Sequence, residues 1–275
     1  MKIARVFPRI TKATPTDDLC FHDIPPRLIL PEIDEVHVSV TFTYDKAKGE
    51  ELAEDWRMVG VPVKIGGPAY GQPAGEFTPG MYMKKGYTIT SRGCPNHCWF
   101  CRVPKTQGKH MELQIKDGWI IQDDNFLACS KEHIKAVGKM LERQKEKPKF
   151  TGGLEAKILE PWHVEFFHQV KPAEMYFAYD TPDDYEPLLQ AGKMLREAGF
   201  TLKSRKNYCY CLVGYPGDTF EKAEKRLKDT LQAGFIPFAM LYKNEIGEED
   251  STWRKFQRQW ARHIIVISNN KEYFV

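Results

Sequence analysis

The stretch Gly93-Cys94-Pro95-Asn96-His97-Cys98-Trp99-Phe100-Cys101 puts three thiols within eight residues, in a chain of 275 residues with seven cysteines. Thiolates gathered at that density are soft metal ligands. Three residues separate Cys94 from Cys98 and two separate Cys98 from Cys101, so one short loop can wrap its thiolates around a corner of a cube. A structural zinc ion asks for four ligands, usually from two separated knuckles. His97 is the nearest candidate for a fourth, but it adjoins Cys98, and so compact a set would strain tetrahedral closure. A [4Fe–4S] cluster fits better: each cysteine takes one iron and the last iron stays open. An open iron can bind the amine and carboxylate of a methionine-like ligand. Arg92, Arg102 and Lys105 can offset negative charge there; the alternative for them is ordinary solvated loop charge.

The elements around this loop read as two patterns. In the first 67 residues, Val36 to Phe42 is β-branched and reads as a strand, Lys46 to Arg57 as a helix with Leu52, Ala53 and Trp56 on one side, and Val61 to Ile65 as a second strand closed by Gly66-Gly67-Pro68. Together they predict a small β-α-β unit, a degenerate Rossmann-like fold. Residues 68–86, rich in proline and glycine, read as a connector. From Tyr87 onward strands and helices alternate. Strands are predicted at 87–91, 118–122, 150–155, 174–179, 208–213 and 237–242. Thr181-Pro182-Asp183-Asp184 and Asp218-Thr219-Phe220-Glu221 open helices, and Gly199 and Gly234 stop them. Six strands alternating with helices imply a parallel sheet, and six such units can curl into a partial (β/α)6 TIM-like barrel. The expected domains are 1–80, an amino-terminal α/β unit with its connector; 81–250, the partial barrel; and 251–275, a basic and aromatic helix with a tail. The cysteines fall just after the first barrel strand, at the carboxyl ends where the βα loops of such sheets carry chemistry.

Composition narrows the setting. A hydrophobic content of 42% suffices for a packed core. A net charge of +3 points neither toward nor away from nucleic acid. There is no run of 18 apolar residues, and the amino terminus lacks a long apolar stretch. An odd number of cysteines, three of them clustered, speaks against a disulfide framework. The expectation is a cytoplasmic protein with reduced thiols and no membrane association.

The motif Cys94-x-x-x-Cys98-x-Phe100-Cys101 resembles the signature of the radical S-adenosylmethionine (radical SAM) superfamily, including the aromatic residue before the last cysteine. The resemblance covers about residues 87–243. It implies that Cys94, Cys98 and Cys101 hold a [4Fe–4S] cluster and that S-adenosylmethionine chelates the open iron. It also implies that reduction cleaves the sulfonium to methionine and a 5′-deoxyadenosyl radical, which takes hydrogen from a substrate. An electron donor such as flavodoxin or ferredoxin is then implied, with a small molecule or nucleic acid as substrate. The family places a polar motif after the second strand; here that place holds Asp123-Asp124-Asn125, in place of the Gly-Gly-Glu often found. Carboxylates there can accept hydrogen bonds from an ammonium or from ribose hydroxyls; capping a turn is the alternative. Glu155 and Asp180 end the third and fourth strands and would face the same mouth, unless they cap the following helices. Val213 and Gly214 match the region that packs adenine, with glycine admitting a ring close to the backbone. Backbone groups near Phe100 would contact adenine as well. Lys203 and Arg205 are candidates for the ligand's carboxylate.

Two subgroups share the layout of a small unit before a barrel. A methylthiotransferase needs further amino-terminal cysteines for a second cluster, and only Cys20 is there. A cobalamin enzyme often carries Asp-x-His-x-x-Gly, which is absent; some members bind cobalamin without it, and Gly66-Gly67-Pro68 is reminiscent of the cobalamin-domain layout. A non-enzymatic metal-binding interaction module is a further alternative. Cys209 and Cys211 share one face of a strand by the period of two; a place inside the barrel is weighed against a buried structural one. In 253–262, Trp253, Phe256 and Trp260 line one helical face and Arg254, Arg258 and Arg262 another, which suits an anionic partner or simple docking on a core.

Overall fold

A computed structural model describes residues 1–26, 30–71, 76–244 and 246–274; residues 72–75 of the expected connector lie outside that set. The chain divides into two compact units, Met1–Gly118 and Trp119–Val275.

In the first unit, β1 (Ile3–Val6), β2 (Cys20–Phe21), β3 (Glu35–Ser39) and β4 (Val63–Gly66) form a parallel sheet in the order β2-β1-β3-β4. Helix α1 (Lys46–Arg57) connects β3 to β4 with the expected bounds. Its Trp56 is fully buried in a cluster with Ala4, Val6, Val36, Val38 and Leu52, and the indole N–H donates to the Asp23 carbonyl at 2.9 Å. The sequence suggested one β-α-β unit; the structure adds β1 and β2. Strand β1 hides behind its charge, because Arg5 is only 6% exposed. It stays charged there by pairing with Asp17 and donating to the carbonyls of Gly80 and Met81 at 3.1 and 3.3 Å. Gly67 has φ +107°, and a Cβ there would lie 2.7 Å from the Val40 carbonyl oxygen. The Gly66-Gly67-Pro68 turn is therefore explained by close packing of the chain on itself.

The rest of this unit carries β5 (Tyr87–Thr88), β6 (Ser91–Arg92), α2 (Val103–Thr106) and β7 (Met111–Glu112). The expected strand 87–91 is thus split. Strand β6 pairs antiparallel with β7, Ser91 opposite Glu112 and Arg92 opposite Met111, and the amide of Leu113 donates to the Thr90 carbonyl at 2.8 Å. The pull of that hairpin ends β5 early.

The second unit repeats one move. Strands β8 (Ile120–Ile121), β9 (Lys149–Leu154), β10 (Glu174–Ala178), β11 (Asn207–Val213) and β12 (Ile236–Leu241) pair in sequential order, all parallel. Helices α3 (Lys131–Glu142), α4 (Pro161–Val170), α5 (Tyr185–Glu197) and α6 (Phe220–Ala233) form the crossovers. Sequential parallel order returns each crossover to the same side. Side chains agree: Phe150 meets Phe167 of α4, Phe177 meets Phe235, and the Cys211 thiol lies 3.3 Å from the Thr230 hydroxyl of α6. Helix starts follow local chemistry. Ser130 caps α3 by accepting from His133 N, Thr219 caps α6 by accepting from Lys222 N, and Gly234 closes α6 at φ +96°.

Helices α7 (Ser251–Trp260) and α8 (His263–Asn269) follow. Trp253 and Trp260 are buried, Trp253 packs on Phe220 at 4.4 Å, and Gln257 donates to the Ala239 carbonyl of edge strand β12 at 3.1 Å. The aromatic face of α7 docks on the sheet, while Arg254 pairs with Glu249 at 2.5 Å. Among the described residues, no helix is long and apolar enough to cross a membrane.

Gly192 sets the spacing of α5 on α6: a Cβ there would lie 1.8 Å from the Ala233 carbonyl oxygen. Gly192→Ala forces the helices apart and should destabilise the protein by about 1–3 kcal/mol in urea denaturation, without loss of helical content by circular dichroism.

Candidate functional site

The cysteine loop leaves the hairpin at Gly93, whose φ is +78° and whose missing side chain would otherwise strike the Lys109 carbonyl at 2.4 Å. From that anchor the chain reaches Cys94, half-buried; Cys98, exposed; and Cys101, half-buried. The amide of Cys101 donates to the Cys98 carbonyl at 3.0 Å, so these two residues flank one tight turn. Phe100 meets Trp99 edge to face at 5.4 Å, and Trp99 is 58% exposed. Arg102 and Lys105 are exposed and Arg92 is half-buried around the loop. Among the described residues, no three His, Cys, Asp or Glu side chains converge closely enough to hold a single metal ion. A cubane binds each thiolate at a separate iron, so its ligands stand farther apart than those sharing one ion. Accessible thiols on one loop in basic surroundings suit such a group.

Cys209 and Cys211 are of another kind. Both are fully buried, and burial drives the Cys209 thiol well above its ordinary pKa. They face the helices, which decides for the structural alternative over a place inside the barrel.

In the second unit, the carboxyl ends of β8 and β9 bring four of the predicted site residues together. Asp123 and Asn125 are buried, at 1% and 3% exposure, and the Asn125 amide donates to Glu155 at 2.7 Å. Gly152 and Gly153 make this possible: a Cβ on them would lie 2.0 Å from the Asp123 carbonyl oxygen and 2.5 Å from that of Asp124. Across the sheet, β9 slips register against β10 between Met175 and Phe177, the kind of bulge that re-aims side chains near a strand end. Asp180 follows β10, accepts from the Leu212 amide at 2.8 Å, and is pushed from the usual 3.8 to about 6. Burial is the main cause, opposed by that hydrogen bond and reinforced by the charge of Asp184. Capping of the following helix falls to Thr181 and Asp184, not to Asp180.

The end of β11 is occupied differently from expectation. Val213 is fully buried. Gly214 has φ +75° and is approached closely by a ring, but the ring is the protein's own Trp253, whose Cγ would lie 2.8 Å from a Cβ there. Its amide donates to Asp218 at 2.9 Å. Asp218 pairs with buried Arg226 at 2.8 Å, and Arg226 also holds the Leu212 carbonyl at 2.9 Å. Arg205 lies two residues before β11, at the amino end, with Lys203 still earlier. A seven-residue strand puts about 20 Å between it and the carboxyl edge, so it does not join the residues there.

The sequence reading also passed over the face of the sheet turned away from the crossover helices α3–α6. There Tyr176 stacks on Tyr208 at 4.9 Å and on Tyr210 at 4.7 Å, Tyr210 meets Phe238 at 5.8 Å, and the Tyr210 hydroxyl donates to the Thr151 carbonyl at 3.1 Å. Burial, then the charge of Glu174, raises the Tyr210 phenol to about 12 and that of Tyr176 further. These phenols stay neutral. The alternation Tyr208-Cys209-Tyr210-Cys211 carried the signal, since cysteines on one face leave tyrosines on the other.

A sequential parallel sheet with helices α3–α6 on one face, preceded in the chain by a small parallel α/β unit, is a mixed α/β fold. A solved structure it resembles is that of the radical S-adenosylmethionine methyltransferase TsrM from Kitasatospora setae, with cobalamin and a [4Fe–4S] cluster bound. The TM-score is 0.54 at 11% identity, covering 76% of this chain and 64% of that one. At that identity the likeness is one of fold. No protein-family model and no curated protein matches the chain.

Between pH 4 and 6 the folded protein keeps a proton on Asp180 that the unfolded chain gives up. Stability contributed by the neutral carboxyl is complete below about pH 4 and is lost as pH rises through about 6. Asp180→Asn should flatten that dependence and stabilise the protein by about 1–2 kcal/mol at pH 7.5, a partly exposed carboxyl being screened by water. Urea denaturation at pH 4.5 and 7.5 compares the two proteins.

Proposed function

We propose that the protein is a radical SAM enzyme, in which Cys94, Cys98 and Cys101 hold a [4Fe–4S] cluster. The observation that carries this reading is the loop itself: three accessible thiols in the Cys94-x-x-x-Cys98-x-Phe100-Cys101 spacing, anchored on a hairpin and set apart from the buried cysteines. The α/β fold shared with a radical SAM methyltransferase supports it. Held by Cys94, Cys98 and Cys101, such a cluster would supply one-electron reductive cleavage of S-adenosylmethionine, giving methionine and a 5′-deoxyadenosyl radical able to take hydrogen from a substrate. A flavodoxin- or ferredoxin-like donor provides the electron, and a partial barrel of six βα units houses the reaction.

The chain's own residues have separable tasks. Asp123, Asp124 and Glu155 accept hydrogen bonds from the ligand's ammonium and ribose hydroxyls, and Asn125 holds Glu155 in place. Asp180, with its raised pKa, offers a carboxyl that can be neutral or charged near pH 6. The glycine-lined turn at 214 is covered by Trp253, so adenine packing there would need that indole to move; the turn is therefore left out of the proposed contacts.

Anaerobic reconstitution with iron and sulfide should give about four irons per chain, and dithionite with S-adenosylmethionine should then yield 5′-deoxyadenosine. Cys98→Ala should lose both the iron and the product. Stoichiometric zinc in their place, with no 5′-deoxyadenosine formed, would overturn the reading.

A second reading is methyl transfer through a corrinoid, favoured by the cobalamin in the TsrM structure and by the parallel amino-terminal sheet. It predicts that hydroxocobalamin co-elutes with the protein at about one per chain after gel filtration. Recovery of protein without corrinoid absorbance would leave the single-cluster enzyme as the account.

A further inference from the structure

At the amino end of β11 the second unit holds a pocket of about 360 Å³ lined by Arg205, Tyr208, His263, Ile264 and Ile267. This volume lies within the usual range for small-molecule sites. The pocket is far from the carboxyl edge, at the other end of the strand.

A phenol, a guanidinium and an imidazole line it. Tyr208 is 7% exposed as a residue, and its hydroxyl has no hydrogen-bond partner among the described residues, so it is free to donate to a ligand. Arg205 is held in the left-handed region at φ +53°, where it closes the turn Leu202–Ser204 with its amide donating to the Leu202 carbonyl at 3.0 Å, so its side chain leaves a fixed point of the backbone. Among the described residues, no carboxylate pairs with the Arg205 guanidinium. His263 stands edge to face on Tyr208 at 5.8 Å, adding an imidazole to the phenol and guanidinium. The remaining wall is aliphatic, and Ile264 is 75% exposed. The nearby negative charge, Glu174, is engaged by Lys149 at 2.5 Å and by the Tyr176 hydroxyl at 3.3 Å.

We infer that this pocket binds a small carboxylate with an apolar body. Arg205 pairs with the carboxylate, the Tyr208 hydroxyl donates to it, and Ile264 and Ile267 cover the chain. A guanidinium presents the planar donor fork that carboxylates match. Ile side chains give nothing to a bare inorganic anion, so the apolar part decides what enters.

Hexanoate is the probe, with 1-hexanol and inorganic phosphate as the comparisons, read by calorimetry and by methyl shifts of Ile264 and Ile267. Hexanoate should bind at least about tenfold tighter than either. Arg205→Gly is the informative variant, because glycine takes the same backbone conformation without strain. Its thermal midpoint should not fall, while hexanoate affinity should drop at least about tenfold. Tyr208→Phe should cost about threefold to tenfold. The inference is overturned if hexanoate leaves both isoleucine methyls unshifted, if Arg205→Gly binds it as well as the parent, or if phosphate binds as tightly.

Discussion

The main chain of Asp123 and Asp124 can lie against β9 only because positions 152 and 153 carry no side chain. Any Cβ there would sit inside van der Waals contact of a carbonyl oxygen, and backbone does not yield as the end of a flexible side chain does. The carboxyl edge of the second unit depends on that approach. It buries Asp123 and Asn125, brings Asn125 within hydrogen-bond reach of Glu155, and coincides with the slipped register between β9 and β10. A bulge alone would misplace the strand end. Two glycines alone would leave a gap. Together they give a short polar segment fixed by main-chain contact, which is more rigid than a loop held by side chains.

The alternation of side chains then divides labour across the sheet. One face meets the helices with Phe150, Phe177, Cys209 and Cys211, all closely packed and chemically inert. The other carries Thr151, Tyr176, Tyr210 and Phe238, joined by ring stacking and by the hydrogen bond from Tyr210 to Thr151. Burial keeps these phenols protonated at any ordinary pH. They act as neutral donors and flat surfaces, not as bases. This face therefore offers shape and hydrogen bonding, and carboxyl groups lie at the strand ends, Glu155 and Asp180 among them at one and Glu174, paired with Lys149, at the other.

Much of this was legible in the sequence where one physical rule acts alone. The strands from 150 to 242 are β-branched or apolar runs between helix signals, and each appears within about two residues of its expected place. Helix α1 and the caps at Thr181 and Thr219 follow from local chemistry. What escaped depends on partners distant in sequence. Strand β1 needs Asp17 and two carbonyls near residue 80 to bury Arg5. The hairpin of β6 and β7 cuts short a strand whose own residues would continue it. Gly214 was read as an opening for a ligand ring, and the indole of Trp253, from 39 positions further along, fills it. In the candidate site, the cysteine spacing was readable as a unit. The glycine pair behind Asp123 and Asp124 was visible as letters but had no meaning until β8 and β9 were neighbours.

Two arginines at opposite ends of β11 show how position alters the meaning of one side chain. Arg226 is buried, pairs with Asp218 and holds the Leu212 carbonyl. Its charge is neutralised where it lies, and its donors fasten the carboxyl end of the strand to α6. Removing either partner would strand a charge in a low-dielectric setting. Arg205 has the opposite character. It is exposed, closes a turn in the left-handed conformation, and makes no ion pair among the described residues. Its neighbours Tyr208 and His263 add donor groups, and the aliphatic wall adds none of the acid that would satisfy them. Composition alone ranks the two residues as equals. Burial and partners separate them: the first arginine completes the fold, and the second is left with a recognition surface to contribute.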